Sequence, residues 1–198
     1  MKKISKWAVK VDVIARVFKG LNIVGGVVVL ICLIAFLSFE DIVYGEMDFG
    51  MTLSFVDFDW IPECNPDVQT MRFFFVGILL FAILILAVRY YEIVIIRRII
   101  KPMTEERPFD ASVVKNIRDL SWVILIGDGM FSVIDFVMQI CLYHTFDYEN
   151  IFLSDKIISV SADYNFDFSF VWLFLVLHLL SYVFQYGQEL QIQSDETL

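Results

Sequence analysis

Four long apolar runs dominate this chain: residues 21–39, 73–96, 120–143 and 168–186. At a rise of ~1.5 Å per residue, each is long enough to cross a hydrocarbon core of ~30 Å. In hydrocarbon the backbone must satisfy its own hydrogen bonds, so runs of this length and composition are read as helices. The expected fold is an all-α membrane protein, a four-transmembrane-helix bundle forming one membrane domain over residues 1–198. Of the 198 residues 59% are apolar, and the spans with their connections occupy nearly all of them. That leaves no room for a separate soluble domain.

The formal charge of −9 says less than its distribution. Lys2, Lys3, Lys6, Lys10, Arg16 and Lys19 precede the first span; Arg97, Arg98, Lys101, Arg107, Lys115 and Arg118 lie between the second and third. Residues 40–71 hold no Lys or Arg but carry Glu40, Asp41, Glu46, Asp48, Asp57, Asp59, Glu63 and Asp67. In residues 144–167, Lys156 stands alone against Asp147, Glu149, Asp155, Asp163 and Asp167. The excess of cations on the cytoplasmic side of membrane proteins predicts cytoplasmic termini and a cytoplasmic central loop over 97–119. Loops 40–72 and 144–167 are then external.

Residues 1–19 carry Ile4, Trp7, Val11, Ile14 and Phe18 at helical spacing, with Lys3, Lys6, Lys10 and Arg16 elsewhere on the surface. This pattern predicts an N-terminal amphipathic interfacial helix lying along the bilayer before the chain turns into the first span. No small-x-small cleavage pattern follows the first apolar run, so it is read as a retained anchor.

In the second outer loop, Ile158, Val160, Ala162, Tyr164, Phe166 and Phe168 alternate with Ser159, Ser161, Asp163, Asn165, Asp167 and Ser169. A period of two indicates a half-buried strand. Residues 52–60 of the first outer loop show a looser alternation through Leu53, Phe55, Phe58 and Trp60, with a shift at Val56. A lone strand leaves its backbone unpaired, so the expectation is a small external β segment formed by the two outer loops pairing with each other. The opposing reading is an irregular aromatic loop on the headgroups. On the cytoplasmic side, Pro102 is expected to end the helical extension of the second span. Asp110 is the expected N-cap of a helix running through Val113, Val114, Ile117 and Leu120 into the third.

Polar residues inside the spans carry the most information, because a charge there costs at least ~3 kcal/mol unless compensated. Ser121, Asp128, Ser132, Asp135 and Gln139 form one stripe on the third span; His178, Ser181, Gln185 and Gln188 form another on the fourth. The second span carries Arg89 and Glu92. Counting inward from the cytoplasmic ends places Arg89, Asp128 and His178 at roughly 12–14 Å depth. The expectation is an intramembrane polar cluster of Arg89, Asp128, Asp135 and His178, in which Arg89 pairs with Asp128 and His178 lies close by. Two roles remain open for it: a proton or ion path, or interhelical contacts that fix which helices pack. Arg89 can also pair with Glu92 one turn away.

Enzyme signatures are absent: there is no phosphate-binding glycine loop, no HExxH and no nucleophile elbow. The chain is read as a non-enzyme without cofactor or metal. Cys64 and Cys141 share the external side and are either bridged or free; Cys32 is within the first span. The basic residues are explained by topology, so no direct nucleic-acid binding is expected. The lipid bilayer is the first partner, and the sequence is compatible with a homo-oligomer.

The C-terminal residues Gly187, Leu190, Gln191, Ser194, Asp195, Glu196, Thr197 and Leu198 resemble the closing signature of the YoaS-like family of small bacterial four-span membrane proteins. Gln193 stands where that signature has Glu. Pro108 and Phe109 resemble the family's central-loop segment, although Glu106 stands where Gly is usual. The resemblance implies a bacterial cytoplasmic membrane and no known biochemical activity. Members are commonly encoded beside a small helix-turn-helix regulator, which implies a regulatory protein that sequesters or signals to such a regulator. The signature residues, with Pro108 and Phe109, are then the partner-binding positions. A helix end docked intramolecularly on Arg97, Arg98 or Arg107 is the competing reading of the tail, and a small transporter or channel component is the competing reading of the whole.

Overall fold

The structure, a computed structural model, describes residues 2–38, 50–53, 56–59, 68–105, 107–145 and 164–196. Four long helices carry most of these residues: α1 (Lys2–Ser38), α2 (Val68–Thr104), α3 (Ala111–Thr145) and α4 (Ser169–Glu196). Each contains a stretch long and apolar enough to cross a membrane. None of the most apolar window of α1 or α2 is buried inside the protein. Leu21, Val24 and Ile31 on α1, like Trp172, Leu179 and Val183 on α4, stand open. Continuous apolar exposure of this kind is incompatible with water and natural in hydrocarbon. The helices fit a multi-pass membrane protein.

Two expectations about secondary structure need correction. The interfacial helix over residues 1–19 does not exist as a separate element, because α1 runs unbroken from Lys2 to Ser38. That is 37 residues, or ~55 Å of helix. No proline interrupts it, and Gly20, Gly25 and Gly26 each cost a helix only ~1 kcal/mol. Ala8 and Ala15 pack inward, while Trp7, Val11, Ile14 and Phe18 are left exposed, as a lipid-facing stripe would be. Asp12, on the inward side, bridges Arg16 (2.7 Å) and Arg97 of α2 (3.0 Å).

The external sheet between the two outer loops is likewise not supported. In the first loop, β1 (Gly50–Leu53) pairs antiparallel with its own neighbour β2 (Val56–Asp59), in the register Gly50↔Asp59 to Leu53↔Val56. Both strands of this sheet come from the first loop. In the second loop, residues 158–163 lie outside the described residues and 164–168 form no strand. Closing a short hairpin costs far less chain entropy than joining segments about a hundred residues apart.

The described chain divides into two compact units. The first comprises Met1–Val28, Ile83–Ser132 and Asp167–Leu198 and draws on all four helices. Its core is Ile95 of α2 against Leu120 and Ile124 of α3, flanked by Phe170 and Leu177 of α4. Small residues permit close approach: a Cβ on Gly127 would lie 2.8 Å from Val88, and one on Gly129 would lie 3.1 Å from the Phe170 ring. The second unit, Val29–Ala82 and Val133–Phe166, is tied by aromatic contacts. Phe36 meets Phe75 at 5.6 Å, and Phe136 meets Tyr164 and Phe166 at 6.2 and 5.9 Å.

The same sequence pattern, Asp-x-Ser, starts α3 and α4. Asp110 accepts from the Ser112 amide (2.9 Å) and hydroxyl (2.6 Å), so it caps α3 as expected. Asp167 accepts from the Ser169 amide and hydroxyl, both at 2.8 Å, a cap not anticipated from sequence. These bonds favour the ionised form and hold both carboxyls below the ordinary carboxylate range. Each cap is therefore complete above that range and weakens as pH falls through the lowered value. At the other end of the loop, Pro102 sits inside the last turn of α2. Its carbonyl accepts the Glu105 and Arg107 amides at 3.1 and 3.0 Å, so the helix closes at Thr104, two residues later than expected. Arg107 pairs with Glu105 and, at 3.6 Å, with Asp110.

Candidate functional site

Arg89 and Glu92 stand three residues apart on α2 and so share a face. Their side chains meet at 2.8 Å between Arg89 Nη1 and Glu92 Oε2. On α3, Gly127 lets the backbone close on Val88, and that approach delivers the next residue, Asp128, to the same guanidinium. Arg89 Nη2 lies 2.9 Å from Asp128 Oδ1, and Nη1 lies 3.5 Å from Oδ2. The guanidinium also rests over the Phe131 ring at 5.9 Å. A planar fork of donors suits this bridging, which a lysine ammonium would not reproduce.

The result is a three-residue network of one cation and two carboxylates, with a formal charge of −1. Glu92 is only 7% exposed. Its Oε1 is buried without a hydrogen-bond partner. Asp128 Oδ1, though close to Arg89, is not aligned for a hydrogen bond either. The structure thus brings Arg89 and Asp128 together and adds Glu92 as the most buried member. The sequence signal for Glu92 is its i, i+3 spacing from Arg89.

His178 does not join this network. Its Nδ1 lies 3.3 Å from Ser121 Oγ, and Ser121 also donates to the Arg118 carbonyl at 2.7 Å. Phe174 stacks on the imidazole at 5.1 Å, while Trp122 and Tyr182 present edges at 6.2 and 5.4 Å. Ser121 lies seven residues from Asp128, or ~10 Å along α3. A similar count from the ends of the apolar runs does not bring His178 to Asp128, because the α4 imidazole meets α3 two turns away, at Ser121. Asp135 belongs to the second unit. It accepts from Gln139 at 2.7 Å, and Gln139 exchanges two bonds of 3.3 Å with the backbone of Asn165. Among the described residues no group of three or more His, Cys, Asp or Glu is placed to hold a metal ion. Cys141 is free and Cys64 lies outside the described residues.

A second constellation forms where the central loop meets α4. The Phe109 ring covers Gly187, where an added Cβ would lie 2.5 Å from the ring, and packs on Phe184 at 5.8 Å. Beside it, Arg118 donates to Gln185 (3.2 Å), which donates to Glu189 (3.3 Å). An open cavity of about 340 Å³ is lined here by Lys115, Arg118, Gln185, Gln188 and Glu189. Pro108 is in the turn preceding α3. Past this point α4 continues as helix through Leu190, Gln191 and Ser194 to Glu196, with Leu190 exposed. Asp195 is helical; Thr197 and Leu198 lie outside the described residues. Among the described residues, neither Glu189 nor Glu196 forms an ion pair with Arg97, Arg98 or Arg107; the partners recorded for Arg97 and Arg107 are Asp12, Glu105 and Asp110.

No protein-family model, curated protein or solved structure matches the chain.

Proposed function

We propose that this is a non-enzymatic regulatory protein of a bacterial cytoplasmic membrane, with cytoplasmic termini, that sequesters or signals to a cytoplasmic helix-turn-helix regulator. The observation that carries this reading is the seat of Phe109 on Gly187. It joins the two separate segments that resemble the YoaS-like family into one continuous face. The exposed end of α4, with Leu190, Gln191, Ser194 and Glu196, extends that face. Its carboxylates Glu189 and Glu196 suit a basic DNA-binding partner. The charge asymmetry of the loops supports the orientation.

A second reading, a small transporter or channel component, draws on the formal charge of −1 at Arg89, Glu92 and Asp128. Two variants separate the readings when protein abundance and the output of the adjacent regulated genes are measured together. Deletion of residues 194–198 is expected to abolish regulation at unchanged abundance, while Asp128→Asn leaves it intact. The opposite pattern, with loss on Asp128→Asn alone at unchanged abundance, favours transport and contradicts the regulatory reading.

A further inference from the structure

Between α1 and α2 lies a second cavity of about 460 Å³, with a marked charge imbalance. Arg16 and Lys19 of α1 and Arg97, Arg98 and Lys101 of α2 line it, against the single carboxylate of Asp12. Five cations and one anion leave a net charge of +4. The convergence follows from the unbroken course of α1. Positions 12, 16 and 19 share one helical face, as do 94, 97, 98 and 101 on α2. Asp12 clamps the two faces through Arg16 at 2.7 Å and Arg97 at 3.0 Å, and Lys19 is held over the Tyr90 ring at 5.0 Å. Arg98 and Lys101 have no ion-pair partner among the described residues, and both are exposed.

Cytoplasmic topology explains why cations occur on this side, but not why five of them surround one cavity with two left unpaired. Mutual repulsion of this kind is relieved by an anion. Paired guanidinium and ammonium donors at the end of a membrane span match a phosphate with several oxygens. We propose that the α1–α2 cavity binds a phosphate group, with Arg98 and Lys101 as its principal ligands and Asp12 as the residue that positions Arg16 and Arg97. The phosphate comes either from an anionic phospholipid headgroup or from a soluble phosphate ester. This proposal is independent of the regulatory reading, since it rests on a different face of the protein.

The test uses the full chain, delipidated in a neutral detergent and titrated separately with short-chain phosphatidylglycerol, short-chain phosphatidylcholine and inorganic phosphate, with binding read by native mass spectrometry and thermal shift. Phosphatidylglycerol is expected to bind more tightly than phosphatidylcholine. The R98Q/K101Q variant should lose on the order of 10- to 30-fold in affinity, at roughly three- to fivefold per charge. A control variant, R107Q/K115Q, removes two cations outside the cavity and should bind as wild type. Because Arg98 and Lys101 are exposed and unpaired, and their removal relieves repulsion, the ligand-free melting temperature should not fall. If inorganic phosphate binds alone and competes with the lipid, the site is for a soluble ester as well. If only the lipid binds, the headgroup is the source. Equal affinity of both lipids, equal loss in the two variants, or no binding of any of the three probes overturns the proposal.

Discussion

Arg89→Leu is expected to destabilise the protein by about 3–5 kcal/mol, the usual result of stranding buried charge by removing its partner. Glu92 and Asp128 would then face each other in a low-dielectric setting with no counter-charge, and Glu92 is too buried to recover hydration. Arg89→Lys should recover only part of this loss, because an ammonium cannot bridge two carboxylates in the fork geometry seen here. The triple replacement Arg89→Leu, Glu92→Leu, Asp128→Leu is expected to return most of the stability, since apolar packing commonly substitutes for a buried ionic network. Thermal unfolding in mild detergent, followed by size-exclusion, measures all three. A wild-type melting temperature for Arg89→Leu would mean that Arg89 reaches the headgroups and that its contacts with Glu92 and Asp128 carry no stability.

Gly127→Val should have the next largest effect, through steric contact between α2 and α3. An added Cβ meets Val88 Cγ1 at 2.8 Å before the rest of the side chain is counted. Replacing glycine in a helix gains at most ~1 kcal/mol in propensity. Overpacking costs about 1–3 kcal/mol, and the branched Val88 side chain has little rotamer freedom with which to yield. The steric term wins. It also parts Arg89 from Asp128, which sit one residue further along each helix, so the loss should not add to that of Arg89→Leu. Val88→Ala in the same chain is expected to restore most of the lost stability. Absence of rescue would show that Gly127 acts through something other than this contact.

How much of this was legible in the sequence differs from residue to residue. The four helices follow from run length alone, because hydrocarbon admits few alternatives. The α3 cap follows from Asp110 at its expected position, and the pairing of Arg89 with Asp128 follows from the expense of an isolated charge in a span. His178 was misplaced because a count of residues along each helix carries neither the tilt nor the facing of its neighbour; the imidazole meets Ser121, two turns from Asp128. The course of α1 was hidden because an amphipathic stripe does not say whether the chain bends at the membrane surface or runs straight on into the span. The outer β segment failed on partner choice, since alternation identifies a strand without naming the strand it meets. The contact of Phe109 with Gly187 joins residues 78 positions apart, a separation over which local pattern carries no information.

That contact is also where the regulatory reading is most exposed to test. The decisive measurement is affinity purification of the full chain from its native cells in several mild detergents, with co-purifying proteins identified by mass spectrometry. Parallel purifications use Phe109→Ala and the deletion of residues 194–198. A helix-turn-helix regulator should co-purify with the wild-type protein and fall by about tenfold or more in both variants, corresponding to a loss near 1.4 kcal/mol or above. Failure to retain any such regulator in every detergent, or its equal retention by the truncated protein, would contradict the proposed role.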